Sequence, residues 1–291
     1  MDSQKIYPLA FSFECFPEQT QAGEARLLST CNKLATVNPC FFSVTYGAGG
    51  GTRDHTLASV ARIKAETAVD VAPHIAAIGS HYDEIRALLA HYKAQNIRHI
   101  VALRGDTPSG LRDFGDFSYA SELVKFIRDE HGDYFFIEVA AYPETHPQAK
   151  SVLADLQNLK QKFDLGADAA LTQYFYNPEA FFRFIDDCEK LGIDQPIIPG
   201  IMPVTHYHQL LRFSNKCGVE IPRWMARRLA SYGDDASIRA FGEEAVTTLC
   251  ERLLKGGAAG LHFYTMNQAA PTLAIWNNLG ISSSKQLRAR R

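Results

Sequence analysis

The chain has 291 residues, 46% hydrophobic and 21% charged, with a formal net charge of −2 from 30 basic and 32 acidic side chains. These are globular proportions, and so even a charge balance gives no reason to expect a nucleic-acid partner. No signal-peptide core follows Met1-Asp2-Ser3-Gln4-Lys5, no stretch is apolar enough to span a bilayer, and six scattered cysteines lack any Cys-x-x-Cys pair, so a cytoplasmic protein with reduced thiols and no metal site is expected.

Leu9 to Phe13 reads as a first strand that ends at Glu14-Cys15-Phe16-Pro17. Alternation puts Ala10, Ser12 and Glu14 on one face and Phe11, Phe13 and Cys15 on the other. The first set suits the inside of a barrel and the Phe pair suits a helix layer. An acid at a buried strand end is costly unless it is paired or used, so Glu14 is either catalytic or part of a structural salt bridge. A helix follows over Glu24 to Thr36, with Leu27, Leu28, Cys31 and Leu34 on one face. Cys40 to Tyr46 is a second strand and runs into the glycine-rich loop Gly47 to Asp54. That loop lacks the Gly-x-Gly-x-x-Gly spacing, so a dinucleotide fingerprint is weak. It is either a plain flexible loop or a set of backbone amides near a ligand, with Thr45 presenting a hydroxyl.

Leu57 to Lys64 is helical, and Val69 to Ile78 is a third strand with Pro73-His74 near its end. Ser80 is expected to cap a helix that carries Ile85, Leu88, Leu89 and Tyr92 and stops near Asn96. The fourth strand is the apolar run Ile100 to Leu103, with Ile97 just upstream, closed by Arg104-Gly105-Asp106. Gly105 permits a tight turn or a close approach by a ligand. Arg104 and Asp106 then form either a local salt bridge or part of a ligand site at the strand's carboxyl end. Ser118 to Asp129 is helical, and Tyr134 to Ala141 is a fifth strand ending in the polar Tyr142 to Pro147 segment. Gln148 to Leu165 is a helix on which Asp155, Asn158 and Lys162 share a face that is, by default, solvated.

Ala167 to Thr172 is the sixth strand, with Gln173 at its end, and Asn177-Pro178 caps and opens the next helix. Pro196 to Ile201 is a proline-weakened seventh strand, His206 to Leu254 is mostly helical with breaks near Gly218 and Gly233, Ala258 to Phe263 is the eighth strand, and Ala270 to Leu279 is a last helix. Eight strands alternating with helices count to a single α/β (β/α)₈ TIM barrel over residues 1–281, followed by a polar, basic tail over 282–291. A doubly wound sheet is the alternative. Polar side chains gather at strand ends: Glu14, Thr45, His74, Arg104, Asp106, Tyr142 and Gln173.

Ser12-Phe13-Glu14 with Phe16-Pro17, Ser43-Val44-Thr45-Tyr46-Gly47-Ala48, Ala72-Pro73-His74, Arg98 to Asp106, Ala141-Tyr142-Pro143-Glu144 and His262 to Asn267 occur here in one order and spacing. In that combination the chain resembles the methylenetetrahydrofolate reductases, from about Phe11 to Gly280. The resemblance implies a (β/α)₈ barrel with non-covalent FAD at the strand carboxyl ends. It also implies NADH or NADPH as reductant, with hydride passing through flavin N5 to 5,10-methylenetetrahydrofolate in a ping-pong reaction, and a homo-oligomer. Glu14 matches the family's general acid toward folate N10, and Asp106 the acid beside flavin and pterin. Gln173 matches the amide that reads the substrate, and Phe213 an aromatic against which both substrates lie; core packing is the alternative for Phe213. For FAD the resemblance points to Thr45, His74, Arg104, Gly105, Asp106, Tyr142 and His146. It also turns the Asp155, Asn158 and Lys162 face into a cofactor contact, with Lys162 near the diphosphate. Gln161 and Gln268 stand where the family pattern leads one to expect basic residues. The chain stops just past the barrel, as expected for the compact bacterial form. A cofactor-free hydrolase or lyase using Glu14 and Asp106, or a barrel that only binds, are the competing readings.

Overall fold

In the computed structural model, residues 1–46, 50–106 and 114–281 are described, with backbone alone over 50–53. Eight parallel strands close into a barrel in sequence order: β1 Ala10–Cys15, β2 Phe41–Val44, β3 Asp70–Ala76, β4 His99–Leu103, β5 Phe136–Ala141, β6 Ala169–Tyr174, β7 Ile197–Ile201 and β8 Gly260–Tyr264. β8 pairs with β1 from Ala10↔Gly260 to Glu14↔Tyr264, which shuts the ring. The helices between them are α1 Gln21–Ala35, α2 Gly50–Thr67, α3 Tyr82–Ala94, α4 Ala120–His131, α5 Val152–Asp164 and α6 Pro178–Lys190. Between β7 and β8 come three, α7 Tyr207–Cys217, α8 Arg223–Ala230 and α9 Asp235–Gly256, and α10 Ala269–Asn278 follows β8.

The alternation expected for β1 holds. Phe11 and Phe13 face outward onto Trp276 of α10, with ring centroids 5.0 and 6.2 Å away. Ser12 faces inward, its Oγ 2.7 Å from His262 Nδ1 of β8. An apolar plug of Phe41, Ala72, Val101, Leu171, Ile198 and Ala259 fills the inside, while the larger cluster lies between strands and helices. β7 forms despite its prolines, because Pro199 falls at the break in the β6–β7 register and has no register partner on β6 or β8, so its missing N–H costs no ladder bond.

Several boundaries differ from the sequence reading. Ser80 is not the cap of α3: its Oγ donates to Ala76 O, and His81 caps the helix reciprocally with Glu84. α5 begins at Val152 and not near Gln148, because Ser151 supplies the side-chain cap to Ala154 N–H. The stretch after β7 is broken by Gly218, whose φ of 69° ends α7 in the left-handed region. The tail over 282–291 and Gly47–Gly49 of the glycine-rich segment lie outside the described residues, and the rest of that expected loop, Gly50 to Asp54, is instead the opening of α2.

Candidate active site at the barrel mouth

Glu14 is the last inward-facing residue of β1. Its Oε2 lies 3.5 Å from His74 Nε2 on β3 and 3.8 Å from His262 Nε2 on β8. His262 is fixed from below by Ser12 and, at 3.5 Å, by Ser43 Oγ. Burial pulls the His74 imidazole below its ordinary 6.5, against Glu14 and Glu138, which pull it up. At neutral pH His74 is therefore an uncharged ring beside the carboxyl. Tyr264 flanks the same side of the mouth and donates through its hydroxyl to Thr172 O at 2.7 Å.

That last bond belongs to an irregular strand end. The β6–β7 register slips between Leu171 and Tyr174. Thr172 Oγ1 accepts from Gly200 N–H at 2.9 Å and donates to Gln173 O at 2.8 Å. The slip belongs to the bulges that re-aim a side chain at barrel rims. It presents Gln173, half-buried, whose Oε1 accepts its neighbour Tyr174 N–H at 3.0 Å. Tyr174 OH in turn meets Ser214 Oγ of α7 at 3.2 Å, which ties the sequence neighbour of Phe213 to the same strand end. Phe213 itself is half-buried and packs on the edge of the main core.

On the other side, Arg104 and Asp106 do not form the local salt bridge. Arg104 reaches Gln148 Oε1 at 2.6 Å and the Gly105 carbonyl at 3.3 Å, and Asp106 is exposed. Gly105 is required by the backbone: its φ is +83°, and a Cβ there would meet Ala76 Cβ at 3.0 Å. Past β5, Tyr142 and His146 rings meet edge to face at 4.5 Å, and His146 N–H donates to Asp155 Oδ2 at 2.7 Å. Thr45 stands half-buried just past β2, its N–H bonded to Cys15 O. Asn158 is exposed on α5.

Lys162 runs from α5 to the end of β5 and donates to Ala140 O at 2.5 Å. Among the described residues no carboxylate comes within 4 Å of its Nζ. Burial, only partly offset by Asp155, pulls the ammonium down to about 8. A half-buried cation at the mouth, backed among the described residues only by a carbonyl, is a fitting place for an anionic group. The tyrosine, histidine and arginine beside it suit a phosphorylated aromatic cofactor such as FAD.

Sequence reasoning missed Glu138 and His99 inside the barrel. Glu138 is fully buried on β5, with His99 Nε2 of β4 at 3.4 Å. A lone acid in the apolar run Phe135 to Ala141 was the available signal. Deciding which way it points needed the β4–β5 register, in which Glu138 sits opposite Val101 of the inner plug.

The methylenetetrahydrofolate reductase family profile matches residues 3–280. The chain is 44% identical over 271 residues to the 5,10-methylenetetrahydrofolate reductase of Escherichia coli, covering 93% of this chain and 90% of that one. It is 36% identical to methylenetetrahydrofolate reductase (NADH) 1 of Arabidopsis thaliana, covering 96% of this chain but only 49% of the plant protein. Among solved structures, an uncharacterised Clostridium thermocellum protein that binds two copies of 5-methyl-5,6,7,8-tetrahydrofolic acid shares the fold. It has a TM-score of 0.69 at 17% identity, covering 94% of each chain.

Proposed function

The chain belongs to the methylenetetrahydrofolate reductase family, and from that premise we propose that it reduces 5,10-methylenetetrahydrofolate to 5-methyltetrahydrofolate with NADH or NADPH, using FAD held non-covalently at the barrel mouth in a ping-pong reaction. The observation that carries this reading is the Glu14 carboxyl, set at the mouth against two buried imidazoles, one of them uncharged at neutral pH. When bound, FAD would supply the hydride chemistry that links nicotinamide oxidation to folate reduction.

The protein's own residues bind, orient and protonate. Lys162 is placed to take a diphosphate oxygen in exchange for its bond to Ala140 O. Tyr142, His146, Asp155 and Asn158 line the adjoining rim, and Thr45, His74, Arg104 and Gly105 approach from the neighbouring strand ends. Glu14 hands a proton to folate N10, which opens the methylene bridge to an iminium cation. Asp106, exposed at the end of β4, faces that developing positive charge. The NH₂ of Gln173 has no hydrogen bond among the described residues, which leaves it for a pterin acceptor, while Oε1 is partly committed to Tyr174 N–H. Phe213 supplies a flat apolar surface for either substrate. Among the described residues no helix is long and apolar enough to cross a membrane, and all six cysteines are free thiols, in keeping with a cytoplasmic enzyme.

The test is the visible spectrum of the purified protein, taken again after anaerobic NADH or NADPH and then after methylenetetrahydrofolate. A yellow protein bleached by the nicotinamide and recoloured by the folate is the expected result. A colourless protein that stays inert with added FAD would sink the proposal.

A further inference from the structure

It is α9 that packs on β7, while α7, the first helix after that strand, runs along the rim past the end of β6 to the loop after β5. Tyr174 OH of β6 meets Ser214 Oγ at 3.2 Å, and the field of Asp106, beyond β4, reaches Cys217, the last residue of the helix. Past its end the chain closes on the β5–α5 loop twice. Glu144 Oε2 accepts Glu220 N–H at 2.9 Å. Gly218, with a φ of +69°, lies so close to Pro147 that a Cβ there would stand 2.5 Å from Cγ of that ring.

Glu144 is half-buried, and its Oε1 is sealed from water with no hydrogen-bond partner among the described residues. A polar atom left so is a cost to the fold, and a second one stands beside it. Thr145 has a φ of +71°, where a β-branched residue is rarely found, and its N–H closes a tight turn onto Tyr142 O at 3.1 Å. Strained backbone persists where its surroundings over-determine it. The same turn carries Tyr142 into the proposed cofactor rim, with the His146 ring 4.5 Å from it. Through Glu144 it also holds the end of α7, on which Phe213 stands one turn before the last residue.

Resting on the flavin-dependent reading above, we propose that Glu144 is a positioning residue that ties the cofactor loop to α7 and so sets Phe213 against the face that both substrates use. The tie does not depend on the charge of Glu144, because a carboxylate and a carboxylic acid both offer an oxygen to the Glu220 N–H. Without it the end of α7 is released, while His146 N–H still holds Asp155 at 2.7 Å. Phe213 then shifts and the cofactor loop stays in place. A misplaced flat surface weakens binding in ground state and transition state alike, so affinity falls and the limiting rate does not.

The experiment sets Glu144→Ala beside Glu144→Gln in the FAD-loaded enzyme, with each half-reaction followed by stopped flow over a range of substrate concentrations. In the alanine variant the concentration for half-maximal rate should rise about tenfold for nicotinamide and folate alike, within what one lost hydrogen bond removes. The limiting rates and the FAD dissociation constant should stay parental. Glutamine keeps an acceptor at the same reach and should restore both substrates. A folded alanine variant that loses only melting temperature or only FAD affinity overturns the inference, as does a rise confined to one half-reaction or a glutamine variant as weak as alanine. Independently of activity, amide exchange in the parent should show Glu220 N–H and the last turn of α7 protected, and Glu144→Ala should remove that protection; unchanged exchange also overturns it. A parent protein that lacks both half-reactions would instead sink the assigned function, and the inference with it.

Discussion

Glu14 and Lys162 divide the site between proton transfer and anion binding, and each makes a prediction of its own. Glu14→Gln keeps the shape of the site and removes the proton. Flavin reduction by NADH should survive, while folate reduction should fall by at least about a hundredfold, within the range of general acid catalysis. Equal losses in both half-reactions with FAD still bound would remove Glu14 from the donor role. Lys162 gives a pH dependence whose sign can be worked out. With the site empty, burial holds its ammonium near 8. A bound diphosphate raises that value, so above pH 8 cofactor binding must take up a proton, and affinity falls as pH climbs. Below pH 8 the lysine is charged in both states, and its contribution is flat. FAD fluorescence titrations should therefore show a dissociation constant that rises above pH 8. In Lys162→Met that rise should vanish and binding should be weaker throughout. A parental pH dependence retained in the methionine variant would move the diphosphate elsewhere.

At the scale of elements, the end of β6 is shaped by β7. Gly200 donates its N–H to Thr172 Oγ1, and an added Cβ would lie 2.1 Å from Thr172 O and 2.6 Å from the Tyr264 ring. Gly200→Ala must push β6 or Tyr264 aside, and overpacking of that kind costs about 1–3 kcal/mol. The bulge that presents Gln173 should relax with it. The expected result is a lower melting temperature together with a raised KM for folate and an unchanged FAD affinity; a stability loss with unaltered folate kinetics would separate Gln173 from its bulge. The same strand ends show what was legible beforehand. The inside and outside faces of β1 followed from alternation, because the small and polar set Ala10, Ser12 and Glu14 differs from the bulky set with Phe11 and Phe13 enough to tell the interior from the helix layer. Glu14, Thr45, Arg104 and Gln173 were visible as polar residues closing apolar runs. Glu138 and His99 were not, since nothing local distinguishes an inward from an outward acid in a strand buried on both faces. The cap of α3 was misread for a related reason. Ser80 has the usual capping side chain, but Ala76 O, one turn back, took its hydroxyl.

At the scale of the whole molecule, the two ends of the barrel carry different duties. Glu14, Thr45, Arg104, Asp106, Tyr142 and Gln173 sit at or just past the carboxyl ends of their strands, and the floor is sealed by the first residues of the chain. Gln4 is fully buried there, donating to Gln195 O at 3.1 Å and accepting Ile197 N–H at 2.8 Å, so it substitutes for a strand neighbour at the start of β7. Ser3 N–H and the Met1 ammonium both hold the Glu189 carboxylate, at 2.8 and 3.0 Å. Burial works against the charge on Glu189, yet these bonds outweigh it and hold the carboxyl down to about 2. A folded value below the ordinary 4.5 means the contribution is complete above pH 4.5 and is lost as pH falls toward 2. Glu189→Gln should therefore flatten the acid limb of the stability curve in that window and leave stability near neutrality only modestly lowered. Gln4→Ala should act at every pH, because it strands the Ile197 N–H and Gln195 carbonyl in the interior at about 1–3 kcal/mol. Neither change touches the mouth, so flavin affinity and both half-reactions should keep parental values wherever the protein is folded. Urea melts paired with stopped-flow kinetics on the same samples decide it. A floor variant that slowed folate reduction without unfolding would mean that the two ends are coupled through the barrel interior.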